Sequence, residues 1–267
     1  MNYQGLLIVF MKVSVIIPAY NSSATIKVSL ESAINQSYPI YEIIIVNDGS
    51  TDHTEDIIKQ IMEENPNADI HYVYKKNGGP SVSRNFALQI AQGDLIAFLD
   101  SDDIWLEDKI ERQVKVFENN PEIFLIGGLY KKGNLPGDHF KEITFKELLL
   151  SNRFFTSATI VRKEVFNTIP PFKETMKYSE DYNLWLRILA EYRGGILNQQ
   201  VFKYATDSGI NNNGLSGNLW LMEKGELQNF NEMYKLNHIS FVKLQLLRLF
   251  SIAKYIRRRI KKVLNRL

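Results

Sequence analysis

Four short apolar runs, rich in β-branched residues, punctuate the first hundred positions, and a polar or Gly/Pro cluster follows each one. Residues 13–17 (VSVII) end at Pro18. Residues 41–46 (YEIIIV) stop at Asn47-Asp48-Gly49. Residues 70–74 are followed by Gly78-Gly79-Pro80, and residues 94–99 (DLIAFL) stop at Asp100-Ser101-Asp102-Asp103. Longer stretches with helical spacing lie between them: residues 22–37 (Ile26, Leu30, Ala33, Ile34), a stretch capped by Thr51 or Asp52 that reaches about Glu64, and residues 81–91. Apolar strands separated by amphipathic helices predict βαβ units and an α/β fold with a mainly parallel sheet covered on both faces. Right-handed crossovers put every strand C-terminus on one edge. Ligands of open α/β sheets bind at that edge. Tyr20-Asn21, Asn47-Asp48 and Asp100–Asp103 all follow strands, so one cleft is predicted to hold all three.

The second half is less regular. Residues 123–129 and 158–161 read as strands, 131–139 as a loop, and 181–191 as a helix with Leu184, Trp185, Ile188 and Leu189 on one side. Residues 201–205 suit an edge strand. The Gly/Asn/Ser-rich residues 207–218 read as a mobile loop. No linker cuts out a second domain, and 267 residues suit one large domain with an appendage. Hydrophobic residues at 45% and charged residues at 23% exclude a disordered or collagen-like chain. The absence of cysteine excludes disulfides, thiolate metal sites and cysteine nucleophiles, and is compatible with a reducing cytoplasm. No stretch reaches 18 apolar residues, and the apolar residues 6–10 lack both a basic leader and a clear small-residue cleavage site. Neither a membrane-spanning helix nor a secretory signal is expected.

The net charge of +2 hides an asymmetry. Residues 243–267 hold nine Lys and Arg and no acid, leaving 23 basic against 30 acidic residues in the rest. On a helix, Leu249, Ile252, Ala253, Ile256, Ile260, Val263, Leu264 and Leu267 form one stripe. Arg248, Lys254, Arg257, Arg258, Arg259, Lys261, Lys262 and Arg266 occupy its flanks and the opposite face. That pattern predicts a helix lying on an anionic membrane surface through residues 241–267. The competing expectation is a helix packed on the acidic body with a solvated basic face. Nucleic acid is not an expected partner, because no recognition helix or stacking platform accompanies the charge.

Two carboxylates two residues apart at a strand end, Asp100 and Asp102, can converge on a hard divalent cation shared with phosphates. The same cluster also suits a turn, with Asp103 capping the next helix. Asp48 is open to two readings, a turn residue or an acceptor for a nucleobase N–H. Arg84, on a helix after a Gly-rich turn, is either solvated surface or a contact to a diphosphate or base. Glu180-Asp181 suits a helix N-terminus. The four histidines (His53, His71, His139, His238) show no metal-ligand spacing and read as structural or surface residues. Trp105, Trp185 and Trp220 read as packing residues.

Four pieces in this order, VSVIIPAYN (13–21), IIIVNDGSTD (43–52), NGGPSVSRNFALQIAQGDLIAFLDSDD (77–103) and SEDYNLWLRI (179–188), resemble the family 2 glycosyltransferases of GT-A fold. The resemblance covers residues 12–204. It implies a nucleotide-sugar donor, expected to be a UDP-sugar, and transfer to a glycan or lipid-linked acceptor in surface polysaccharide or glycolipid synthesis. Pro18, Tyr20 and Asn21 would shape the nucleotide pocket, Asp48 would hold the base and Arg84 would approach the nucleotide. Asp100 and Asp102 would form the D-x-D element at the ribose and at Mn²⁺ or Mg²⁺ with the diphosphate. Asp181 would be the general base of a single inverting displacement, and residues 155–157 would face the acceptor. A catalytically inactive module that binds nucleotide or glycan is the alternative. The expected organisation is an N-terminal extension (1–10), with a natural start at Met11-Lys12, then a GT-A domain (11–235) and a basic amphipathic helical tail (236–267). The expected location is cytoplasmic, peripheral at the inner face of the cell membrane.

Overall fold

The computed structural model describes residues 10–131, 140–205 and 217–264, without the side chains of 263 and 264. The expected N-terminal extension, apart from Phe10, and most of the loops expected at 131–139 and 207–218 lie outside the described residues. In the first half, strands β1 (Val13–Ala19), β2 (Glu42–Asn47), β3 (Ile70–Tyr74) and β4 (Leu95–Phe98) alternate with helices α1 (Ile26–Ile34), α2 (Thr54–Glu64) and α3 (Pro80–Ile90). The strands pair in parallel in the order β3-β2-β1-β4. The near-continuous apolar runs follow from burial on both faces. Val13, Val15, Ile17, Ile43 and Ile45 point to one hydrophobic cluster, while Ile16, Ile44, Val46, Ile96 and Phe98 point to the other. Strand β1 also runs through Pro18, which faces Val46 in register, rather than stopping there.

The second half mixes directions. It contributes β5 (Asp103–Trp105), α4 (Lys109–Asn119), β6 (Ile123–Leu129), β7 (Phe140–Glu142), α5 (Phe145–Leu150), β8 (Ile160–Arg162), α6 (Glu180–Glu191), β9 (Arg193–Gln200) and β10 (Phe202–Tyr204). Strand β8 enters antiparallel between β4 and β6, β9 runs parallel to β6, and β7 closes the far edge antiparallel to β9. A 3₁₀ turn at Thr156–Ala158 takes the start of the strand expected at 158–161. Asp103 does not cap the helix that follows. It begins β5, whose residues pair antiparallel with Phe202–Tyr204, and the next helix starts only at Lys109. Helix α5 opens on a full capping box between Thr144 and Glu147, a pattern present in the sequence as Thr-Phe-Lys-Glu.

Two further helices, α7 (Leu219–Lys235) and α8 (Phe241–Leu264), close the chain. Among the described residues no helix is long and apolar enough to cross a membrane. Helix α8 is seated on the body, the competing expectation for the tail. It packs on the body through Leu244, Leu247 and Ser251 and leaves Leu249, Ile252, Ile256 and Ile260 exposed. Trp105 and Trp185 are buried as expected, but Trp220 is half exposed and rests its ring 5.5 Å from that of Tyr255.

Trp185 is the largest fully buried side chain, with ring centroids of Phe98, Phe172 and Phe154 at 5.9, 6.1 and 6.5 Å. Trp185→Ala should therefore cost about 3–5 kcal/mol, as large-to-small core changes do. At about 2–4 °C per kcal/mol the midpoint should fall by roughly 10 °C in a thermal melt followed by circular dichroism.

Candidate active site

The loops after β1 and β2 are laced together by backbone donors. Asn21, at φ 47°, gives its N–H to Ser50 Oγ at 3.0 Å, and its Oδ1 accepts the Thr51 N–H at 2.8 Å. Ser22 N–H reaches Thr54 Oγ1 at 2.8 Å and Ser23 N–H reaches Asp52 Oδ2 at 3.0 Å. This lacing holds Tyr20 at the rim, where its ring is exposed, just beyond the partly buried Pro18. Burial opposes ionisation of Asp52, but hydrogen bonds from Thr54 and Ser23 outweigh it and hold the carboxyl down to about 2.

Asp48 is buried and its carboxylate is already engaged. Oδ1 accepts from Lys75 Nζ at 2.5 Å and Gly78 N–H at 2.9 Å, and Oδ2 accepts from Gly79 N–H at 2.7 Å. Gly79 sits at φ 92°, a left-handed conformation that glycine adopts without a Cβ penalty. The carboxylate expected at the nucleobase thus also clamps the Gly-rich turn that starts α3. Lys75 and the two glycine amides carried no signal in the sequence beyond their nearness to that turn.

Arg84 is buried on α3 and its guanidinium is turned on two carboxylates. Nη2 donates to Asp100 Oδ1 at 2.6 Å and Nη1 donates to Glu180 Oε1 at 3.2 Å. Burial works against its charge, but Asp100 and then Glu180 outweigh it, so the guanidinium stays protonated. The residue expected at the nucleotide therefore joins the strand-end acidic turn to the N-terminus of α6.

Ser157 supports that turn from below. Its Oγ accepts the Asp100 N–H at 3.0 Å and donates to Asp103 Oδ2, while its carbonyl accepts from Trp105 Nε1 at 2.6 Å. Burial, then the Asp100 charge, pushes the Asp103 carboxyl up. Asp102 is exposed at the lip, yet the surrounding protein and then Asp100 raise its carboxyl too, an effect that solvent contact keeps modest. Two hard carboxylates of like charge on one turn are a donor set suited to Mn²⁺ or Mg²⁺ that keeps other positions for phosphate oxygens. Among the described residues no three His, Asp or Glu side chains gather into a ready-made cage. The histidines among the described residues lie elsewhere: His53 against Asp56, His71 against Asp69 and Glu42, His238 near Glu191.

Asp181 stands beside this acidic turn. Its Oδ1 accepts the Tyr182 N–H at 2.6 Å and its Oδ2 lies 3.4 Å from Thr156 Oγ1. Burial first, then the Glu180 charge, raises its carboxyl well above the usual range, with Arg84 opposing. The side chain keeps partial solvent contact at the cleft. Ser179, the residue before α6, is left-handed at φ 56°. It is held there by Asn229 Nδ2 donating to its carbonyl at 3.0 Å. Of residues 155–157, Phe155 is partly exposed with its ring 5.1 Å from Tyr130, while Thr156 and Ser157 contact Asp181 and the acidic turn. Nothing in the sequence indicated the Ser157 contacts, which span more than fifty positions.

The sequence matches the family model described as "Glycosyl transferase family 2" over residues 14–177. A putative teichuronic acid biosynthesis glycosyltransferase of Bacillus subtilis is 33% identical over 220 residues, covering 79% of this chain and 84% of that protein. An Escherichia coli protein named UDP-Glc:alpha-D-GlcNAc-diphosphoundecaprenol beta-1,3-glucosyltransferase is 38% identical over 187 residues, covering 67% of this chain and 70% of its own length. Among solved structures, a mannosyltransferase of Pyrobaculum calidifontis in complex with GDP-Man and Mn²⁺ superposes with a TM-score of 0.70. That match has 17% identity and covers 91% of this chain and 73% of that one, so it is a likeness of fold.

The Asp52 bonds generate a pH test. A carboxyl depressed when folded contributes stability above its unfolded pKa and loses that contribution as pH falls through its folded value. Asp52→Asn should melt lower than the wild type at pH 7. The gap should close between the ordinary 3.8 and about 2. Paired thermal melts across that window read the difference directly.

Proposed function

This chain belongs to glycosyl transferase family 2, and on that premise we propose that it moves a sugar from a nucleotide diphosphate donor, a UDP-sugar, to a hydroxyl of a lipid-linked or glycan acceptor in surface polysaccharide or glycolipid synthesis. The observation that carries the reading is the Arg84 bridge. It brings the acidic turn after β4 to the start of α6, about eighty positions later, where Asp181 stands. The names of the Bacillus subtilis and Escherichia coli relatives support the polysaccharide setting, the UDP donor and the diphosphate-lipid acceptor.

In this reading Asp181 is the general base. It takes the acceptor proton as that oxygen attacks the anomeric carbon, the bond from that carbon to the diphosphate breaks, and nucleoside diphosphate leaves. Attack opposite to the leaving group inverts the anomeric configuration. The raised carboxyl of Asp181 suits a base, because proton transfer is most effective when the base titrates near the working pH. Thr156 and the Tyr182 amide hold its two oxygens. Glu180 is occupied by Arg84 and so is kept from competing as a base. Asp100 and Asp102 would hold Mn²⁺ or Mg²⁺, which when bound neutralises charge on a departing diphosphate. Pro18, Tyr20 and Asn21 wall the nucleotide side, and Asp48 supports the base end through the Gly78-Gly79 turn.

Two variants separate binding from chemistry. Asp181→Asn should leave nucleotide-sugar affinity nearly unchanged while transfer falls by roughly 10²–10⁴. Asp102→Ala should weaken Mn²⁺-dependent UDP binding and cost on the order of 3 kcal/mol in the transfer barrier. Calorimetric UDP titration with and without Mn²⁺, and UDP release across a panel of nucleotide sugars, measure both. An Asp181→Asn protein that transfers at the wild-type rate refutes the base. Undiminished turnover in excess EDTA refutes the metal role. A wild-type chain that binds UDP but releases none from any donor or acceptor would favour a binding module instead.

A further inference from the structure

Helix α8 is held to the body along one side only. Ser251 Oγ donates to Glu223 at 2.6 Å, Arg258 reaches the other oxygen of Glu223 at 2.9 Å, and Lys254 bridges Glu226 at 2.8 Å and the Leu150 carbonyl at 2.9 Å. Arg248 bonds Asn231 on the same side, and Leu244 and Leu247 are buried between them. At 100° per residue the opposite side carries Val242, Leu246, Leu249, Ile252, Ala253, Ile256 and Ile260. All seven are exposed, Val242 at 68%, Leu249 at 67% and Ile260 at 54%. Arg257 and Lys261 border this stripe on one margin and Arg259 on the other. None of the three pairs with an acid among the described residues, and all are exposed.

The geometry points to an anionic phospholipid bilayer as the surface that covers this stripe. Seven apolar side chains span about 27 Å of helix at 1.5 Å per residue, with half-buried Gln245 interleaved near the start of the stripe. Soluble monomers seldom leave so long an apolar face uncovered. Cations on both margins, in a tail without one acid, match headgroup phosphates, with the apolar face sunk to the headgroup–acyl boundary. The tail's other cations are divided by use. Lys254 and Arg258 serve the packed side, so the marginal residues remain for the lipid. The packed side is also two helices from the proposed base: α8 rests on α7, and α7 contacts Ser179 through Asn229 and the Met222 carbonyl. Docking therefore sets the cleft at a fixed attitude to the membrane, at the cytoplasmic face where the expected lipid-linked acceptor would be presented. The docking itself does not depend on the sugar-transfer reading.

Vesicle sedimentation of the full chain tests this. With vesicles of phosphatidylglycerol and phosphatidylcholine at low salt, the wild type should pellet. It should stay in solution with phosphatidylcholine alone or at high salt. Leu249→Glu with Ile256→Glu alters only the outward side and should abolish pelleting while leaving the thermal midpoint and UDP release unchanged. Reversing Arg257, Arg259 and Lys261 to Glu should lower partitioning on the order of tenfold or more. A wild type that does not pellet, or variants that pellet equally, overturn the proposal. So does light scattering that shows a wild-type dimer made monomeric by Leu249→Glu and Ile256→Glu, with no vesicle binding by either. UDP release measured on the same samples tells a failure of docking from a failure of the transferase reading.

Discussion

One buried guanidinium sets the electrostatics of the cleft. Around Arg84 stand Asp100, Asp102, Glu180 and Asp181, with Asp103 next beyond Asp100, an excess of carboxyl groups over this buried cation among the described residues. Burying charge is costly unless each ion keeps close partners, and removing one partner of such a set commonly costs about 3–5 kcal/mol. Arg84 meets that condition with two direct carboxylate bonds. Acid outnumbers base in this basin, and the carboxyls of Asp102, Asp103 and Asp181 are raised, by burial first and by neighbouring carboxylates second. Such a basin attracts cations and repels bare phosphate, so it suits a nucleotide diphosphate that arrives with a divalent ion.

The loops around that basin are built to stay in place. Asp48 has about four lone-pair sites and three are filled by Lys75, Gly78 and Gly79. Asn21, Ser22 and Ser23 each anchor the β1 loop to the β2 loop through a backbone N–H. Positioning of this kind removes conformational freedom before a ligand binds and lowers the ordering cost of binding.

The first half of the fold was legible because its inner strands β1, β2 and β4 are buried on both faces and each helix on one. Period and punctuation therefore carried the same information as the sheet. The polar strand ends at Tyr20, Asp48 and Asp100 could be assigned to one edge for the same reason. The second half was not legible in that way. Strand β5 is three residues long and exists because Phe202–Tyr204 pairs with it, a partner a hundred positions away. The 3₁₀ turn at Thr156–Ala158 is fixed by Ser157 beneath the acidic turn, again a distant contact. Arg84 was visible as a candidate, but its bond to Glu180 required knowing where α6 begins. Helix α8 could be read from its stripe, since a 3.6-residue period needs no partner to be seen. Which side met the body depended on Glu223 and Glu226 in another helix.

The support of Ser179 bears on how this chain can be divided. Its left-handed backbone precedes the proposed base by two residues and is held by Asn229. Gly225 passes so close that a Cβ there would lie 2.5 Å from the Tyr178 carbonyl. The matched family region stops at residue 177, short of all of this. Helix α7 is therefore built into the support of α6. A shortened protein ending at Tyr204 would retain the nucleotide-side strands but lose the wedge beneath α6. Exchange of C-terminal segments between relatives, as a way to alter acceptor choice or anchoring, would have to keep α7 with the parent body and cut no earlier than the turn before α8.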